Sequence, residues 1–192
     1  MKRNYYKLPS QNIIYNQSHL IMKRILIVAC LFLTSISNSF ADVKLPKLIS
    51  NGLVLQRDAN IPVWGWASPG EKVTVSFQGK KYNTKASAEG TWTITLPKMK
   101  AGGPFTMSIT GNNAIEVKDI LIGDVWLCTG QSNMVHQLDI HDVLYADEIK
   151  NANNPKIRHF KVPTTTSVSG PKDDLEGGEW LKAVGEEVRP FS

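Results

Sequence analysis

Between Leu53 and Val117, apolar side chains recur at every second position in short runs separated by turn signals. In "KVTVSF", Val73, Val75 and Phe77 alternate with polar residues; in "TWTITLP", Trp92, Ile94 and Leu96 share one face; in "FTMSITG", Phe105, Met107 and Ile109 do likewise. The interruptions "SPGE", "QGKK", "SAEG" and "AGGP" are rich in residues that supply turn dihedrals. Successive side chains of a strand point to opposite sides, so a period of two gives one apolar and one polar face. Such strands persist only with their apolar faces pressed together. The stretch therefore predicts an antiparallel β-sandwich, each sheet having one buried and one solvated face. It contains no internal repeat and no low-complexity linker.

The pattern changes at Ile120. "ILIGDVWLC" is nearly continuous in apolar residues, which predicts a strand covered on both faces within a parallel sheet. The turn "TGQSN" follows, then a helical stretch within "DVLYADEIKNAN" that Asn154-Pro155 terminates. "KIRHFKV" supplies a second strand, and "GPKDDLEGGEW" reads as a surface loop. Strand, turn, helix and strand open a doubly wound α/β unit. The expected organisation is a leader over 1–41, a β-sandwich over 42–118 and, over 119–192, the first part of an α/β domain that reads as cut short.

The leader assignment rests on "MKRILIVACLFLTSISNSFA". Met22, Lys23 and Arg24 precede an apolar run from Ile25 to Leu33, and Ser39 and Ala41 hold the −3 and −1 positions of a cleavage site. This is the architecture of a secretory signal peptide, its apolar run well short of the roughly 20 residues that span a bilayer. Cleavage after Ala41 would place the protein outside the cell or in the periplasm. It also reverses the charge argument. The chain has 22 basic and 17 acidic residues; Lys2, Arg3, Lys7, Lys23 and Arg24 leave with the leader, so 17 face 17. Composition then gives no support for nucleic acid or, after leader cleavage, a membrane as partner. Cys30 also leaves, so Cys128 stays as a single thiol without an intrachain disulfide, expected inside its strand as a small apolar residue. His136, His141 and His159 show no metal-ligand spacing, so no metal is expected.

Ser132 lies just past the carboxyl end of the expected buried strand, where open α/β sheets place their chemistry. Gly130 permits a sharp turn, and a helix beginning there would aim backbone N–H groups at an oxyanion. The Gly-x-Ser-x-Gly pattern is not met, because Met134 stands in place of the second glycine.

"IGDVWLCTGQSNM" resembles the first motif block of the sialate O-acetylesterase family, within the SGNH (GDSL-like) hydrolases. Upstream, "SNGLVLQRDANIPVWGWASPGEKVTV" is similar to that family's N-terminal β-sandwich, and "NPKIRHFKVP", "DDLEGGEW" and "VRPFS" are similar to its following segments. The resemblance covers Asp42 to Ser192. It implies a serine carbohydrate esterase that hydrolyses O-acetyl esters of sialic acids, or acetylated plant-type sugars, without a cofactor. Ser132 would be the nucleophile, and its own backbone N–H an oxyanion donor; Gln131 and Asn133 would shape the turn. The family's further oxyanion donors, a glycine and an asparagine, and its Asp-x-x-His base lie in later blocks that this chain lacks. The chain alone is therefore expected to be inactive. "MVHQLD" departs from members that carry a glutamate after the methionine.

Two alternatives stay open. His136, four residues past Ser132, would be a local base if Asp139 or Asp142 oriented it, or else a pocket or surface histidine; His141 and His159 read as structural or solvated. Trp64, Trp66 and Trp92 would stack on sugars or fill the core, with Trp92 the core residue. The contrasting function is a secreted, non-catalytic β-sandwich carbohydrate-binding or interaction module.

Overall fold

The computed structural model describes residues 42–192. The leader, its cleavage site and Cys30 lie outside the described residues. The described part is mostly β. Its strands are β1 (Val54–Gln56), β2 (Ile61–Trp66), β3 (Lys72–Phe77), β4 (Lys80–Lys85), β5 (Thr91–Leu96), β6 (Gly102–Thr110), β7 (Ala114–Gly123), β8 (Asn153–Phe160) and β9 (Trp180–Val184). One short helix, α1 (Ala146–Asn151), and three 3₁₀ turns accompany them.

Five strands form one sheet in the order β1-β7-β6-β3-β4; β2 and β5 form a second, and β8 and β9 a third. The alternation sets the faces. Val73, Val75 and Phe77 of β3 and Trp92, Ile94 and Leu96 of β5 all turn inward and belong to one continuous core shared by the first two sheets. Leu96, Met107, Ile109 and Ile120 are fully buried there. Each such side chain contributes about 1.5–3 kcal/mol by leaving water. Trp92 is a core residue as expected, its indole N–H donating to the Trp66 carbonyl at 3.2 Å; Trp64 packs half-buried against the same core.

Two glycines are required by this geometry. The β3–β4 hairpin turns at Gln78 and Gly79, both with positive φ (48° and 74°), as a two-residue hairpin loop demands. At Gly65 a Cβ would lie 2.2 Å from the Lys44 carbonyl oxygen, where Lys44 and Trp66 exchange backbone hydrogen bonds of 2.8 and 2.9 Å.

Three expectations change after Lys118. First, Ile120–Gly123 do not open a new sheet. They are the end of β7, which runs unbroken through the expected boundary at 118/119, and Ile120 and Ile122 belong to the first core. β1 lies parallel to this end, pairing Val54 with Leu121, Leu55 with Ile122 and Gln56 with Gly123.

Second, "DVWLC" is not a strand. β1 ends at Gln56, whose side-chain oxygen accepts the Val125 N–H at 2.9 Å, and no strand edge among the described residues continues beyond it. Without a ladder, Asp124–Thr129 is irregular, Trp126 is 83% and Leu127 89% exposed, and Cys128 is exposed rather than inside a strand.

Third, the expected helix shrinks to the six residues of α1, anchored only by Ile149. β8 forms at "KIRHFKV" as expected but pairs antiparallel with β9, not in a parallel unit. Ile149, Ala183 and Val188 make a second, small core. Asp119 ties the hairpin to the main sheet, accepting from Arg158 at 3.0 Å and Lys182 at 2.9 Å. Burial alone would raise Asp119, but the hydrogen bonds from Lys182 and Arg158 and their charges outweigh it and hold the carboxyl below its ordinary range.

Candidate active site around Ser132

Ser132 opens a 3₁₀ turn, Ser132–Val135, directly after the irregular segment that leaves β7. The turn is closed by the Met134 N–H donating to the Gln131 carbonyl at 2.9 Å. Gly130 makes room for it: a Cβ there would sit 3.0 Å from Met134 Cγ. Ser132 is exposed, and among the described residues neither its hydroxyl nor its backbone N–H has a hydrogen-bond partner. An N–H at the first position of a helical turn has no acceptor within the turn, so it is available to an incoming oxygen. The hydroxyl is thus presented, with no base hydrogen-bonded to it among the described residues.

Among the described residues His136 is not hydrogen-bonded to Ser132 and pairs instead with His141. Its Nδ1 is 3.3 Å from Nε2 of His141, and the rings are nearly parallel at a centroid separation of 5.5 Å. One imidazole donates and the other accepts, which engages Nδ1 of His136 and Nε2 of His141 and leaves each ring its second nitrogen. His141 also meets the ring of Tyr145 edge-on at 6.4 Å. Neither proposed orienting carboxylate reaches a histidine. Asp142 accepts from Arg189 Nη1 at 2.6 Å, and Asp139 is held through its backbone N–H, which donates to the Arg189 carbonyl at 3.1 Å. Arg189 also donates to Glu186; the hydrogen bonds from Arg189 to Asp142 and Glu186 raise the guanidinium above its ordinary value.

His159 lies apart in β8, packed against Phe191 at 4.7 Å, with its Nδ1 buried and unpartnered among the described residues. Burial first, and then the Lys161 charge, lowers its pKa and favours neutral imidazole. No group of three His, Cys, Asp or Glu able to hold a metal occurs among the described residues. Among the described residues Ser132 is hydrogen-bonded to none of the three histidines. The His136–His141 pairing and the Arg189 tie to Asp142 were not foreseen, and no sequence signal links residues 142 and 189.

No protein-family model matches the chain. Curated relatives do. The sialate O-acetylesterase of Pongo abelii is 37% identical over 158 residues, covering 73% of this chain and 29% of the relative. That of Rattus norvegicus is 35% identical over 150 residues, covering 70% and 27%. That of Homo sapiens is 42% identical over 98 residues, covering 45% and 19%. Among solved structures, a carbohydrate acetylesterase from Xanthomonas citri superposes with a TM-score of 0.72 at 42% identity, covering 78% of this chain and 34% of that one. The chain spans less than a third of the length of these curated relatives. On these matches the chain belongs to the sialate O-acetylesterase family, with a coverage that fits an N-terminal portion of its members.

Proposed function

We propose that this chain is the nucleophile-bearing part of an exported serine carbohydrate esterase that removes O-acetyl groups from sialic acids. The observation that carries the proposal is the exposed Ser132 hydroxyl, without a partner among the described residues, at the turn of "GDVWLCTGQSNM", in a chain whose relatives are named sialate O-acetylesterases. Ser132 Oγ attacks the acetyl carbonyl as a general base takes its proton. The oxyanion is held by the Ser132 N–H and by further donors. The sugar hydroxyl leaves, and water then releases acetate from the acyl-serine. No cofactor enters this scheme.

In this reading the two sheets over 42–118, together with the end of β7, form a β-sandwich, and the remainder to Ser192 is the opening part of an SGNH α/β domain. The absence, among the described residues, of a base hydrogen-bonded to Ser132 supports the reading that the chain by itself is inactive. Export follows from the Met22–Ala41 pattern, and the first residue of secreted material would be Asp42. The test is acetate release from an O-acetylated sialic acid by a protein that carries this chain with sequence beyond Ser192. Ser132→Ala should lower the rate on the order of 10⁴-fold or more. Retention of most activity would exclude the assignment.

A further inference from the structure

We propose that the outward face of β3 and β4 is a docking face for an acidic polysaccharide. On this face the hairpin register sets Lys72 directly opposite Lys85, Ser76 opposite Lys81, and Thr74 opposite Asn83. Directly opposed side chains have Cβ atoms about 4.5–5.5 Å apart, and like charges so placed destabilise the pair. All three lysines are exposed, and none forms an ion pair among the described residues.

The nearby acids are already taken. Glu71 accepts the backbone N–H groups of Ser68 and Asn112 at 2.9 and 2.6 Å. Glu116, three strands away from β4 on β7, holds Lys118 at 3.0 Å. The residues after Ala41 carry as many acidic as basic side chains, so this unbalanced cluster is not a by-product of a basic composition. Lysines on an edge strand also deter edge-to-edge pairing. That purpose needs charge along β4, but not a second lysine facing it from β3.

Charge complementarity identifies the occupant as anionic, and the spacing makes it multivalent. Lys72 and Lys85 would grip one carboxylate together. Lys81, four residues along the strand from Lys85, stands about 14 Å away and would reach another. Between them lie hydroxyl and amide groups, with Thr74 donating to Asn83 Oδ1 at 2.8 Å so that the Asn83 NH₂ stays available. β6 continues the face with Ser108 and Thr110, opposite Ser76 and Thr74. A hydroxyl-rich chain bearing carboxylates fits this surface. The β3–β4 part offers no apolar side chain to enter a lipid surface and no aromatic ring to stack on a nucleobase.

The test is binding of the full chain to polygalacturonic acid, with monomeric galacturonic acid, anionic phosphatidylglycerol vesicles and single-stranded DNA for comparison. The polymer should bind about 100-fold or more tightly than the monomer, through multivalency, and the affinity should fall as salt is raised. The triple substitution Lys72→Gln, Lys81→Gln, Lys85→Gln should weaken polymer binding about tenfold or more, while Lys156→Gln with Lys161→Gln should leave it within about twofold. The altered lysines are exposed, and thermal unfolding would verify that the variant stays folded. Unchanged affinity in the triple variant overturns the proposal, as does equal or tighter binding of vesicles or DNA. None of these readouts depends on esterase activity.

Discussion

Asp119 is the strut between the main sheet and the β8–β9 hairpin, and Asp119→Asn isolates its charge. The residue has a φ of 58°, a left-handed conformation that asparagine tolerates as well as aspartate does, so the backbone of β7 is preserved. Only the negative charge is lost. Arg158 is then left with its side chain 3% exposed, its Nε and Nη1 already without a partner among the described residues and the Asp119 carboxylate gone. Removing one member of a buried pair costs about 3–5 kcal/mol; because Asp119 and Lys182 are partly exposed, about 2–3 kcal/mol is the expected figure. The loss is local, since the first core does not depend on this contact. Amide hydrogen exchange should therefore accelerate about 30- to 150-fold in β8 and β9, with β3 and β5 unchanged. The pH dependence has a definite sign. A carboxyl whose folded pKa is lowered stabilises the fold above its unfolded pKa, and the effect is lost as pH falls through the folded value. The difference between wild type and Asp119→Asn should thus be full at neutral pH and fade only in acid below the ordinary carboxylate range. Unchanged exchange in β8 and β9 at neutral pH would refute the strut.

Two further outcomes follow from the same structure. Gly65→Ala places a methyl group against the Lys44 carbonyl and breaks the Lys44–Trp66 exchange; it should cost about 2–4 kcal/mol, read as a lower denaturant midpoint, and a change below about 0.5 kcal/mol would contradict that contact. The 192-residue chain should release no acetate from an O-acetylated sialic acid above the level of its Ser132→Ala variant, because no base among the described residues is hydrogen-bonded to Ser132 and no carboxylate among them orients His136; Ser132-dependent release that His136→Ala removes would establish His136 as the base.

The β elements were legible because period-two patterning records which face is buried, as the burial of Val73, Val75, Trp92, Ile94 and Leu96 shows. "ILIGDVWLC" was misread for a physical reason. A continuous apolar run has the same signature whether a strand is covered on both faces or only its first half is covered. Here Ile120, Leu121 and Ile122 are buried between β1 and β6, whereas Trp126 and Leu127 have no strand beside them among the described residues. The direction of β8 was equally hidden, because apolar content does not say whether the neighbouring strand runs parallel or antiparallel. At the candidate site, the turn at Ser132 was legible from its small residues, but the buried strand expected to lead into it is an irregular, exposed segment. The His136–His141 and Arg189–Asp142 contacts were not legible, since they depend on how the 3₁₀ turns fold back onto the end of the chain.

The claim that Ser132 is the acyl-accepting nucleophile is tested most directly by covalent labelling. A fluorophosphonate should modify a protein that carries this chain with sequence beyond Ser192, and peptide mass mapping should place the adduct within "TGQSNM" on Ser132. Labelling should vanish in Ser132→Ala while the unfolding free energy stays within about 0.5 kcal/mol of wild type, as befits an exposed side chain. An adduct on another serine, with Ser132 unmodified in an enzyme that turns over substrate, would contradict the account.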